Sequence, residues 1–183
     1  MSAVAFVSTN PGKFREVRAI LGSYGVETRW RRRTLPEPQA ERLEEVVDLK
    51  LDAVGDLDGY VLVEDSGLFV PSLGGFPGVY SAHFLKIWQF GPLLELLARR
   101  DRSAYFRTVA GLRRGRRRWM FSGEVRGRIA ARPRGKGGFG YDPIFIPDGW
   151  DETFAEADAE SKNRVSHRAR SIRKVGRFLS SRR

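Results

Sequence analysis

Two carboxylates stand side by side in Glu64-Asp65-Ser66-Gly67, directly after the apolar run Tyr60-Val61-Leu62-Val63. Such a run reads as a buried strand, and in open α/β sheets ligands gather at the carboxyl ends of strands. Neighbouring side chains on a strand point to opposite faces, so Glu64 and Asp65 have different roles, with one facing a site. A carboxylate there can hold Mg²⁺ or act as general base; a solvated turn is the plainer alternative. A second polar stretch, Ser8-Thr9-Asn10-Pro11-Gly12-Lys13, separates a short apolar run from a helical pattern. Unpaired N–H groups at a helix start, reinforced by the helix dipole, attract anions. Lys13 adds charge, and the side chains of Ser8, Thr9 and Asn10 add hydrogen bonds. The glycine spacing of a P-loop is missing, and a helix cap with a surface lysine would use the same residues.

Three further stretches carry possible site residues. Gly74-Gly75-Phe76-Pro77-Gly78-Val79-Tyr80-Ser81-Ala82 specifies a tight backbone shape rather than a reaction, and can wall a pocket. Gly137-Gly138-Phe139-Gly140-Tyr141-Asp142-Pro143 lets a ligand approach the backbone, offers Phe139 or Tyr141 as a ring on which a nucleobase can stack, and offers Asp142 to accept hydrogen bonds from a base edge. Lys162 with Ser166-His167-Arg168 brings two cations and a histidine within about one and a half helical turns. That grouping can hold phosphate or a purine carbonyl. The plainer readings are a glycine turn over core aromatics and a solvated basic helix end.

The elements that position these residues follow from apolar spacing. Strands are expected at Ala3–Val7, 26–31 and Tyr60–Val63, with helices between them. Asn10 and Pro11 read as N-cap and first helical residue, with Phe14, Val17 and Leu21 on one face and Gly22 and Gly25 closing the helix. A helix over 41–54 carries Leu43, Val47 and Val54 on one stripe, and Lys50 lies unexpectedly on that stripe. The sequence predicts a loop over 71–80, a Leu-rich helix over 92–100 and a hairpin of 105–112 with 117–125 around Arg114-Gly115, extended by 126–131. A glycine-rich loop follows over 134–147, Thr153 to Glu156 has capping-box spacing, and the last helix is expected over 165–179. Early alternation plus a central hairpin predicts an α/β fold with a mixed sheet flanked by helices.

Composition narrows the function. A chain of 183 residues without an internal repeat or long linker is one domain's worth. Cysteine is absent and only His83 and His167 are present, which removes disulfides, thiolate chemistry and multi-histidine metal sites. No apolar run approaches the ~20 residues of a membrane span, and no basic n-region precedes the first apolar run, so the cytoplasm is expected and no membrane partner. Lysine and arginine number 33 against 22 acidic residues, a formal net charge of +11. This excess points to anionic partners, either nucleic acid or phosphorylated small molecules, or to a solvated, ion-paired surface.

Taken in order, Glu64-Asp65-Ser66-Gly67-Leu68, Gly75-Phe76-Pro77-Gly78-Val79-Tyr80-Ser81, Gly138-Phe139-Gly140-Tyr141-Asp142-Pro143-Ile144-Phe145 and Ser166-His167-Arg168 make a specific combination. With these the chain resembles, over nearly its whole length, the inosine triphosphate pyrophosphatase family, enzymes that hydrolyse noncanonical purine nucleoside triphosphates. The resemblance implies a single domain over 1–183, with an elongated, curved mixed sheet and a substrate cleft between two lobes. It implies that Ser8, Thr9, Asn10 and Lys13 grip the triphosphate, that Glu37 and Asp65 bind Mg²⁺ with Asp65 also the proton acceptor, and that Ser66 lies next to the substrate. Lys50 matches a lysine pointing into the site. Phe139, Gly140, Tyr141 and Asp142 match the segment that meets the base, and Lys162, His167 and Arg168 those that read the purine 6-oxo group and contact phosphate. The family's first loop often has glycine where this chain has Thr9. Some members carry a lysine near position 82, here Ala82, for which nearby arginines can substitute.

The implied reaction is Mg²⁺-dependent cleavage of ITP, dITP or XTP to monophosphate and pyrophosphate, with no stable nucleic-acid partner. The resemblance also suggests a homodimer, for which Trp88, Phe90 and Leu93–Leu97 are candidate contacts. Two rival readings are a basic nucleic-acid-binding module, which would show steeply salt-dependent binding without hydrolysis, and a pyrophosphatase for pyrimidine or other modified triphosphates.

Overall fold

The computed structural model describes residues 3–182. Seven strands and six helices follow in the order β1 (Ala3–Val7), α1 (Pro11–Gly22), β2 (Glu27–Arg31), α2 (Leu43–Ala53), β3 (Tyr60–Phe69), β4 (Pro77–Gly78), α3 (Ser81–Trp88), α4 (Gly91–Leu96), β5 (Ser103–Arg114), β6 (Arg117–Ile129), β7 (Phe145–Pro147), α5 (Ala159–Val165) and α6 (His167–Ser180). The sheet runs β2-β1-β3-β5-β6-β7, with β4 on β3. β1 lies parallel to both β2 and β3, whereas the β3–β4 and β6–β7 pairs are antiparallel. This is the mixed, helix-flanked α/β sheet that the alternation predicts.

The chain divides into two compact units, one of Met1–Asp65, Thr108–Gly123 and His167–Arg183, the other of Ser66–Arg107 and Glu124–Ser166. In the first, Val4 and Phe6 of β1, Leu62 of β3, Val17, Ile20 and Leu21 of α1, and Ile172, Val175 and Leu179 of α6 form the core. α1 starts as its sequence dictates: the Asn10 side-chain Oδ1 accepts the Lys13 N–H at 3.1 Å, and Pro11 takes the first turn. The C-terminal end of α2 is held by arginines. Arg33 donates to the Val54 carbonyl at 2.8 Å, Arg113 donates to the Gly55 carbonyl, and Arg118 pairs with Asp48 and Asp52. Cations belong at that end of a helix, so part of the arginine excess serves the scaffold. The second unit has its own core of Leu68, Phe84, Leu93, Leu97, Phe106, Ile144, Phe145 and Phe154.

Several boundaries differ from expectation. β3 does not end at Glu64; it continues to Phe69 because Leu68 and Phe69 pair with Gly78 and Pro77. Glu64-Asp65-Ser66-Gly67 is therefore strand, not turn. The loop over 71–80 contains a 3₁₀ turn, Pro71–Leu73, and β4, while α3 was not anticipated. Thr153 and Glu156 do exchange the two capping-box hydrogen bonds, at 2.8 and 3.3 Å, but around an isolated turn; the next helix, α5, is capped instead by Asp158. The helix expected over 165–179 starts at His167 instead, because Ser166 is extended (φ −61°, ψ 155°) and ends a short preceding helix, α5, that the sequence does not announce. Leu93 and Leu97, expected among dimer contacts, are fully buried core, whereas Trp88 is 56% exposed.

Candidate active site

In the first unit the pleat of β3 sorts the two carboxylates. Glu64 is buried and turns toward α1 and α6, where it meets Lys13 at 2.5 Å and Arg168 Nε at 3.3 Å. Asp65, one residue on, turns toward α2 and accepts a hydrogen bond from Lys50 Nζ at 2.7 Å. The opposite-face reading of this pair holds. Its sharing is wider than the sequence suggested, because Arg168 also reaches Glu16 at 2.7 Å. Glu16 was missed, though it lies three residues beyond Lys13 on α1 and so on the same helix side.

Lys50 is the buried lysine that the apolar stripe of α2 signalled. Burial alone would lower its pKa; the charge and hydrogen bond of Asp65, with Glu64 and Glu37 nearby, outweigh burial and raise it, so Lys50 is an ammonium ion at neutral pH. Glu37 reaches within 4.0 Å of the same nitrogen from an exposed loop. Glu37 and Asp65 thus both approach the Lys50 ammonium. Among the described residues no cluster of three His, Cys, Asp or Glu side chains exists. Two carboxylates, with further oxygens from water and phosphate, match how Mg²⁺ is usually held, so the donor set fits that ion.

The Ser8–Lys13 loop is braced on both sides. Ser8 Oγ accepts the Asn10 N–H at 3.1 Å, and Trp30, stacked on Phe14 at 4.9 Å, donates its indole N–H to the Ser8 carbonyl at 2.7 Å. Thr9 is exposed and Ser8 and Asn10 half-buried. His167 opens α6 and is buried. Its carbonyl lies against Gly123 of β6, where any Cβ would approach to 2.2 Å, so β6 admits the start of α6 only because that position is glycine.

The second unit holds the remaining residues. The buried Asp142 accepts the Phe139 N–H at 2.7 Å and a Lys162 Nζ hydrogen bond at 2.6 Å, while that ammonium sits 4.7 Å from the centre of the Phe139 ring. The Asp142 carboxylate therefore organises its own loop. Tyr141 is buried, its hydroxyl donating to the Ser81 carbonyl at 2.8 Å, and burial pushes its phenol well above the ordinary value. Phe139 is half-buried and Gly140 exposed, so of the two rings Phe139 is the accessible one. Ser66 is half-buried on β3.

Gly138 makes the turn with φ +69°, and a Cβ there would lie 2.2 Å from Asp142 Oδ2. Gly138→Ala should cost about 1–3 kcal/mol in backbone strain and should displace Asp142 from the Phe139 N–H and Lys162. A thermal melt checks this, and an unchanged melting temperature would count against Asp142 as organiser of the loop.

An α/β sheet carrying a braced polar loop, a pair of carboxylates and a set of buried cations defines a class of protein suited to phosphate-bearing ligands. The chain belongs to the Ham1 family, whose model matches residues 4–178. It is 46% identical over 178 residues to the dITP/XTP pyrophosphatase of Thermococcus kodakarensis, with 96% of each chain covered. It is 45% identical over 181 residues to the dITP/XTP pyrophosphatase of Methanopyrus kandleri, covering 97% of this chain and 96% of the relative. Among solved structures, the Staphylococcus aureus Ham1 protein matches with a TM-score of 0.83 at 30% identity over 100% of both chains.

Proposed function

We propose that residues 1–183 act as one nucleoside-triphosphate pyrophosphatase domain that hydrolyses ITP, dITP and XTP to the monophosphate and pyrophosphate in a Mg²⁺-dependent reaction. Family membership and the names of the relatives support the reaction class. The observation that carries the site assignment is the sorting of Glu64 and Asp65 by β3, which sets Asp65 against Lys50, a lysine that Glu37 also approaches. Bound by Glu37 and Asp65, Mg²⁺ would supply charge neutralisation on phosphate oxygens.

The chain's own residues do the rest. Ser8, Thr9, Asn10 and the first turn of α1 bind phosphate through hydroxyl, amide and peptide N–H groups. Asp65 takes the proton of the attacking water. Lys13 and Lys50 balance charge on the departing pyrophosphate, and the buried Arg168 holds Glu64, the partner of Lys13, from behind. Phe139 stacks on the base, the Gly140-Tyr141-Asp142 turn shapes its surroundings, and Lys162 and His167 donate toward a 6-oxo group. Adenine presents an amino group there, so donors would be left unpaired at a cost of about 1–3 kcal/mol each. The exposed Ile87, Trp88 and Leu96 offer an apolar surface for a homodimer. Among the described residues no helix is long and apolar enough to cross a membrane.

With Mg²⁺ present, ITP, dITP and XTP should turn over at least about tenfold faster than ATP, the discrimination expected from one mismatched donor, and pyrophosphate should be the product. Equal rates across ITP, dITP, XTP, ATP and GTP, or release of orthophosphate, would reject the assignment.

A further inference from the structure

We propose that Glu64 is a charge gate at the phosphate-binding loop: Lys13 must exchange Glu64 for a ligand oxygen, so polyphosphates displace the carboxylate readily and a monophosphate does so poorly. The inference rests on the function proposed above and adds a specificity-determining role for a residue outside the assigned set. Glu16, Arg168, Glu64 and Lys13 form a row of alternating charge. The side chains of Arg168 and Glu64 are 2% and 1% exposed, whereas Lys13 is 20% exposed. Glu16 is 12% exposed, so Lys13 is the most exposed member of the row and the more exposed of its two cations.

Its backbone is fixed, because its N–H is held by the Asn10 cap, leaving the flexible side chain to move. Withdrawing Lys13 removes one cation from a buried carboxylate, which is costly unless the incoming anion brings comparable charge. A triphosphate brings more negative charge than the monophosphate left after cleavage. The same exchange therefore favours substrate capture and release of the monophosphate product. Glu64 acts through Lys13, as a positioning residue rather than a catalytic one.

The test measures binding of inosine monophosphate, inosine diphosphate and inorganic pyrophosphate to the full chain and to Glu64→Gln. In the variant the monophosphate should bind about tenfold tighter, the gain of one charge-assisted contact. The ratio of pyrophosphate to monophosphate affinity should fall accordingly, and kcat should drop as release slows. In a Lys13→Met background, Glu64→Gln should leave that ratio unchanged. If Glu64→Gln does not fold, as judged by circular dichroism, Glu64→Asp keeps the charge near Arg168, shortens the reach to Lys13 and should move the ratio in the same direction. A folded variant with the parental ratio, or one whose ratio shifts equally without Lys13, overturns the gate. A parent chain that binds these phosphates with the expected gradient yet cleaves no triphosphate would reject the proposed function and leave the gate standing.

Discussion

Asp65→Asn should lower the turnover of ITP by about 100- to 10,000-fold, the usual contribution of a positioned general base, without unfolding the chain. Asparagine has nearly the same shape, and its carbonyl oxygen can still accept the Lys50 hydrogen bond that Asp65 accepts at 2.7 Å. What is lost is the negative charge, and with it both the proposed proton acceptance and half of the carboxylate pair proposed to hold Mg²⁺. Lys50, whose raised pKa depends on Asp65, loses its main counter-charge while staying buried. The measurement is kcat at saturating Mg²⁺ together with a thermal melt. A folded variant with parental kcat would remove Asp65 from its assigned role.

The largest stability effect is expected at Arg168. Arg168→Leu should destabilise the fold by about 3–5 kcal/mol, the range for breaking a buried ion pair from one side. The guanidinium is 2% exposed and bridges Glu16 on α1 and Glu64 on β3, so its removal takes a cation from each of two carboxylates, with Lys13 still beside Glu64. Arg168→Lys keeps the charge but not the fork that spans both acids, so it should fall between parent and leucine variant. Urea denaturation of the three chains gives the order; a leucine variant within 1 kcal/mol of the parent, the level of a surface ion pair, would show that the row of charges contributes little to stability.

What could be read from the chain beforehand was set by how local its cause is. The Asn10-Pro11 helix start, the hairpin turn at Gly115 and the lysine on the apolar stripe of α2 depend on residues a few positions apart, and all three are present. The extension of β3 to Phe69 depends on Pro77 and Gly78, which nothing near Gly67 announces. The break at Ser166 was hidden because Lys162, Val165, Ala169 and Ile172 keep helical spacing across it. Residue types at the site were legible, but their pairing was not. Lys13 reads from the sequence as a charge for phosphate and is held by Glu64, 51 positions later. Asp142 was read as a base-edge acceptor, yet its carboxylate is engaged by Phe139 and Lys162.

Because Glu64 and Asp65 are consecutive residues of a strand, the alignment of β3 on β1 decides which acid faces which helix. That alignment, Val4 opposite Tyr60 and Phe6 opposite Leu62, is enforced by Val61, Leu62 and Val63, none of them exposed. A slip of one position would exchange the two acids wholesale. The apolar triplet upstream is thus a ruler for the chemistry, and errors introduced there would scramble proton transfer and anion capture together rather than weaken either one by degrees.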